Sequence, residues 1–131
     1  MNNPSKFSKL VFGFALTAML MILTWTSGVA AEVSFKEEVF PIIQIRCLSC
    51  HQPGGAGYEK SGLDLRTYGG LMKGTKHGSM ITPGSALESN LIAVIEQRTA
   101  REIWMPHEQK KLSKCERQTF RFWVSQGARD N

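Results

Sequence analysis

The chain has 131 residues, 42% of them hydrophobic and 21% charged, with a formal net charge of +5. That composition is ordinary for a folded protein, excludes a disordered chain, and suits one small domain. Lys6 and Lys9 supply two of the positive charges, so residues 32–131 carry +3, too mild for nucleic-acid binding and suited at most to docking on an acidic partner.

Residues 1–31 read as an export signal. Lys6 and Lys9 make a positive start, and Leu10 to Thr26 is an uncharged, mostly apolar run of 17 residues. Val29 and Ala31 are small residues placed for cleavage before Glu32. An uncleaved N-terminal membrane anchor is the alternative, since the run is slightly long for a signal core and slightly short for a comfortable span. Either way residues 32–131 are expected outside the cytoplasm, in a bacterial periplasm.

Ser34-Phe35-Lys36-Glu37 has the pattern of a capping box and opens a helix with Phe35, Val39, Ile42 and Ile43 on one face. Pro41 interrupts it and predicts a kink or a second start. The helix runs into Cys47-Leu48-Ser49-Cys50-His51. This Cys-x-x-Cys-His spacing is the attachment signature of a c-type haem. Thiols three positions apart on one turn reach the two vinyl groups on one edge of a porphyrin, and the next residue's imidazole can ligate the iron. A zinc half-site would want a second ligand pair, and only Cys115 and scattered histidines remain. A thioredoxin-like pair would want a surrounding βαβ pattern, which is not found.

Gln52 to Gly62 is expected to be loop, Leu63-Asp64-Leu65 a brief extended piece, and Thr67 to Lys73 a short helix capped by Thr67. A loop follows to Pro83-Gly84. Ser85-x-x-Glu88, or Ser89, caps a helix that runs to about Gln97, with Leu91, Ile92 and Ile95 facing inward. Ser113-x-x-Glu116 caps the last helix, predicted over Lys114 to Gln126, with Phe120, Trp123 and Val124 as an apolar stripe and Gly127 as its stop. No convincing strand is found, so the body reads as all-α.

The iron's other face needs Met, His or nothing. Met105, between Trp104 and Pro106 on a stiff irregular segment, is the choice, although a gap-filling core role accounts for it equally well on the residues alone. Met72 lies on a helical apolar face and reads as core. Met80 and His77 lie in a Gly-rich loop and stay open. His107 reads as a solvated surface residue. Arg66, Tyr68 and Trp104 are candidate donors to the haem propionates, and the Pro83 carbonyl is a candidate acceptor for the proximal imidazole. Cys115 is the odd cysteine, in the first turn of the last helix, where an inert, half-buried thiol is expected.

The ordered set of Phe35-x-x-x-Val39-x-Pro41-Ile42, Cys47-x-x-Cys50-His51, Gly62-Leu63-x-Leu65, Gly69-Gly70, Pro83-Gly84, Ser89-x-Leu91-Ile92, Met105-Pro106, Leu112-Ser113 and Phe122-Trp123-Val124-x-x-Gly127-Ala128 resembles class I c-type cytochromes. More narrowly, it is similar to the small planctomycete-type cytochrome c family, over about residues 33–128. The resemblance implies N- and C-terminal helices that cross around one covalently bound haem c. It also implies Cys47 and Cys50 as attachment residues, His51 and Met105 as iron ligands, and a distal ligand carried by the Met-Pro element. The family often has a second proline after Met-Pro, and His107 stands there instead.

The expected protein is therefore a monohaem electron-transfer cytochrome, its iron cycling between Fe(II) and Fe(III), and not an enzyme. Redox partner proteins of acidic surface are expected, with Lys110, Lys111 and Lys114 as a steering cluster. Nucleic acid is not expected, and a membrane only if the N-terminal segment is retained. Two alternatives remain. One is a haem-based gas sensor or ligand-binding protein with a labile sixth site. The other is a cytochrome subunit of a larger periplasmic oxidoreductase.

Overall fold

The computed structural model describes residues 31–131; the export segment lies outside them except for Ala31. Among the described residues no helix is long and apolar enough to cross a membrane. The first helical element begins as a π-helical turn, Phe35–Val39, and continues as α1, Phe40–Arg46. Pro41 stands in the first turn of α1, where a missing N–H costs nothing, so the proline marks a join and not a stop. Ser34 Oγ accepts the Glu37 N–H at 3.2 Å. The reciprocal bond comes from Glu38, whose carboxylate accepts the Ser34 N–H at 2.8 Å, and not from Glu37 as the spacing predicts. The wider π turn, in which the Val39 N–H reaches back to the Ser34 carbonyl, carries the second acid into that place.

The next helix, α2, spans Ala56–Ser61, inside the segment expected to be loop. Glycines at 54, 55 and 57 and Pro53 hide it in the sequence, since their intrinsic helix preference is poor. Local bonds hold it: Ser61 Oγ donates to the Gly57 carbonyl at 2.6 Å. Gly62 ends it in the left-handed region at φ 74°, a conformation natural to glycine. Helix α3, Tyr68–Lys73, has Thr67 as its cap as expected, with Thr67 Oγ1 accepting the Gly70 N–H.

Helix α4 is Asn90–Glu96, starting directly after Ser89, the second of the two predicted caps. Ser89 precedes it but its side chain caps nothing; fully buried, it accepts the Thr82 N–H and donates to the Ser85 carbonyl. A 3-10 turn follows at Arg101–Ile103. The last helix, α5, is Lys114–Ser125 and closes the predicted capping box, with Ser113 and Glu116 each accepting the other's backbone N–H. The described residues form no strand, only one isolated bridge between Thr75 and Gly78.

Residues 32–131 share one core. Phe35, Val39 and Ile43 from the first element meet Phe120, Trp123 and Val124 of α5, with Leu91, Ile92 and Ile95 of α4 and Leu63, Leu65 and Leu71 completing it. The apolar faces read from helical spacing are the faces that are buried. The chain end ties back onto the helical start: Asn131 Oδ1 accepts the Phe35 N–H at 2.8 Å, and its backbone oxygen accepts the Lys36 N–H at 3.0 Å. These are donors that a helix start leaves without an internal partner.

Candidate functional site

The site is built on the turn that follows α1. The N–H groups of Cys47 and Leu48 both donate to the Ile43 carbonyl at 2.9 Å, and those of Cys50 and His51 donate to the Cys47 carbonyl at 3.2 and 3.1 Å. The chain thus wraps tightly from helix end to His51, and Cys47, Cys50 and His51 share one turn. Both cysteines are free thiols. Cys50 is exposed, whereas Cys47 is partly buried and packs on the core. Burial pushes the Cys47 thiol up to about 11; Arg46 opposes the shift, and Glu116 and Cys50 add to it. Cys47 is therefore a neutral thiol at ordinary pH.

His51 is buried, at 9% exposure. Burial holds its pKa below the usual imidazole range, and the Leu63 backbone pulls weakly the other way. The ring is therefore neutral near pH ~7, the form that ligates metals. Its Nδ1 is buried and makes no hydrogen bond.

The wall beside His51 is the α2 segment. The Tyr58 N–H donates to the Cys50 carbonyl and the Leu65 N–H to the His51 carbonyl, each at 2.9 Å. A Cβ at Gly57 would stand 2.8 Å from His51 Cε1 and 3.0 Å from Nδ1, so only glycine lets α2 approach the imidazole this closely. The backbone acting on the ring is that of Leu63, and not that of the candidate Pro83. Pro83 instead lies in an exposed turn.

Met105 is half-buried and packs against the core, as do Met72, Met80, Cys47 and Leu48. Its N–H donates to the Val94 carbonyl at 3.1 Å, its bond to the buried Pro106 is cis, and Trp104 Nε1 donates to the Thr99 carbonyl at 2.8 Å. The three methionines are thus all placed beside apolar core, while His77 and His107 are exposed.

The three candidate propionate donors have partners within the chain. Arg66 forks onto the Asp64 carboxylate, Tyr68 donates to the Ala128 carbonyl at 2.8 Å, and Trp104 is engaged as above. Cys115 is exposed, not half-buried as expected. An open pocket of about 230 Å³ between Phe35, Phe40, Tyr68, Lys36, Arg66, Thr67 and Asp130 holds none of the motif residues.

Among the described residues no group of three or more His, Cys, Asp or Glu side chains is placed to hold a metal ion, so the zinc reading gains no further ligand. The residues present fit a c-type haem. Two free thiols and a buried, neutral imidazole share one turn, and Gly57, which admits no side chain, leaves the ring its place.

The reading of the sequence missed Gly57, Leu63 and Arg46, whose parts depend on contacts with distant residues. For Gly57 a signal was available, a cluster of glycines directly after the motif. Residues 47–109 match the family model described as Planctomycete cytochrome C. No curated protein and no solved structure matches the chain. The matched span contains Cys47, Cys50, His51 and Met105.

Proposed function

From the match of residues 47–109 to the family model described as Planctomycete cytochrome C, we propose that this protein is an exported monohaem electron carrier in which His51 and Met105 would hold the iron. Cys47 and Cys50 would hold the haem as thioethers, with the first and last helices expected to cross beside it. When bound, the haem c supplies a one-electron Fe(III)/Fe(II) couple, and no substrate is chemically transformed. The observation that carries this reading is the buried, neutral His51 imidazole on the same turn as two free thiols.

The chain's residues then divide the work. Burial keeps His51 neutral, and Gly57 lets the α2 backbone fix where the ring stands. The Met105 thioether, a soft neutral donor, would favour the ferrous state and raise the potential. Lys110 and Lys114 are exposed on and just after the segment that follows Met105, which suits docking to an acidic redox partner. The compartment is a bacterial periplasm, with membrane attachment only if residues 1–31 are retained.

The test is the absorption spectrum of the purified holoprotein beside its Met105→Ala variant, oxidised, then reduced with and without carbon monoxide. A low-spin wild type with a Met–iron band in the far red, lost in the variant, is the expected result. A wild type that is already high-spin and binds carbon monoxide readily overturns electron transfer through a His/Met site in favour of a ligand-binding haem protein.

A further inference from the structure

The segment from Met105 to Ser113 has no helix or strand, so its main-chain polar groups must find other partners. Side chains provide several of them. Arg46 Nη2 donates to the Lys110 carbonyl, Arg117 Nη1 donates to the Leu112 carbonyl, and the Glu116 carboxylate accepts the Ser113 N–H at 2.6 Å. Lys111 Nζ reaches the Glu96 carbonyl at 2.8 Å, at the end of α4. Arg46 differs from the other three in where it comes from. It is the last residue of α1, directly before Cys47, and it bridges 64 positions to Lys110. Its guanidinium also lies 3.8 Å from the Glu116 carboxylate, with both side chains about three-quarters buried, at 22% and 25% exposure.

We infer that Arg46 is a positioning residue that ties the limb returning from Met105 to the haem-attachment turn, and so sets how readily Met105 leaves the iron. The inference rests on the His51/Met105 reading above. The mechanism is local. The segment carrying Met105 is held at its start by the Met105 N–H on the Val94 carbonyl and at its far end by Arg46 on the Lys110 carbonyl. A segment whose far end is held by side chains opens more often once one of them is removed. Arg46 suits the task because its planar fork serves a carbonyl and a carboxylate together, which a lysine ammonium does less well. Glu116 is shared, since one carboxylate both faces Arg46 and completes the cap of α5.

The experiment compares wild type, Arg46→Ala and Arg46→Lys as oxidised holoproteins. Imidazole is titrated while the Met–iron band is followed, and hydrogen exchange is measured over residues 106–113 and over α5. The expected result is imidazole binding about tenfold tighter in Arg46→Ala, the size of losing one partner of a partly buried hydrogen bond. Arg46→Lys is expected to fall between Arg46→Ala and wild type. Faster exchange is expected over 106–113, with α5 unchanged from Arg117 onward. Unchanged imidazole affinity and exchange overturn the inference. Faster exchange throughout α5 overturns it as well, because Arg46 would then be a general stability residue. If the wild type shows no Met–iron band, the ligand reading has failed on its own account. Exchange then decides the tie alone: faster exchange confined to 106–113 in Arg46→Ala supports it, and equal protection overturns it.

Discussion

Phe35 and Trp123, from the first and last helical elements of the described chain, stack with ring centroids 5.4 Å apart and planes inclined at 34°. Tyr68 meets both rings edge-on, at 5.3 and 6.5 Å. Offset and edge-to-face contacts between aromatic rings add to the stabilisation that burial already provides. The indole is fully buried, and its Nε1 donates to the Arg129 carbonyl at 2.9 Å, so its polar atom is satisfied.

Trp123→Ala should therefore cost about 3–5 kcal/mol of stability, through lost burial and the cavity left behind. Phe122, the next residue on α5, is 55% exposed, and Phe122→Ala should stay within about 0.5 kcal/mol. Denaturant midpoints of the two holoproteins check the contrast. Equal losses would mean that α5 does not present the face seen here.

Gly57→Ala tests the wall beside His51. The added methyl would stand 2.8 Å from His51 Cε1 and 3.0 Å from the Cys50 carbonyl, so the ring, the turn or α2 must move. The outcome expected is a holoprotein whose proximal ligation is altered, read as a shifted potential and a changed low-spin spectrum. Gly69→Ala, where a Cβ meets nothing within 4 Å, should leave both unchanged. A Gly57→Ala spectrum identical to wild type would show that the imidazole is positioned by other means.

Cys47 gives a pH dependence with a definite sign. In the chain before haem attachment its thiol is raised from 9.0 to about 11 by burial. As pH rises past 9 the unfolded chain loses this proton first, so unfolding is favoured. The stabilisation is complete below about pH 9, falls between 9 and 11, and is gone above 11. Between about pH 8 and pH 11, haem-free wild type should lose on the order of 2 kcal/mol more than Cys47→Ser in urea titrations. Alkylation offers a second reading: the exposed Cys50 and Cys115 should react with iodoacetamide before Cys47 does. Simultaneous labelling of all three would contradict the burial.

Ser113 closes the capping box of α5. Ser113→Ala should cost about 1 kcal/mol, measured as a lowered thermal midpoint of the holoprotein, while Ser113→Asp should recover most of it. A loss no larger than that of an exposed substitution such as Gln118→Ala would mean that the cap contributes little here.

Much of this protein is legible in its residues taken in order. The spacing of Cys47, Cys50 and His51 points to the family whose model residues 47–109 match. Pro41 marks the join in the first helical element, Thr67 and Ser113 mark helix starts, and the faces of Phe35 and Val39, of Leu91 and Ile92, and of Phe120 and Trp123 are the buried ones. These features depend on residues within a few positions of each other, where helical geometry alone sets the distances.

Tertiary structure decided the rest. Helix α2 forms against the intrinsic preference of Gly57 and the glycines that flank it because its backbone bonds the Cys50 carbonyl and packs beside His51. Ser89 is a buried stitch and not a cap because Thr82 and Ser85 come to it. Leu63, and not Pro83, acts on the imidazole, and Arg46 reaches across to Lys110 and Glu116. Each of these outcomes depends on which backbone groups arrive beside a side chain once the core has closed, and local sequence carries no record of that arrival.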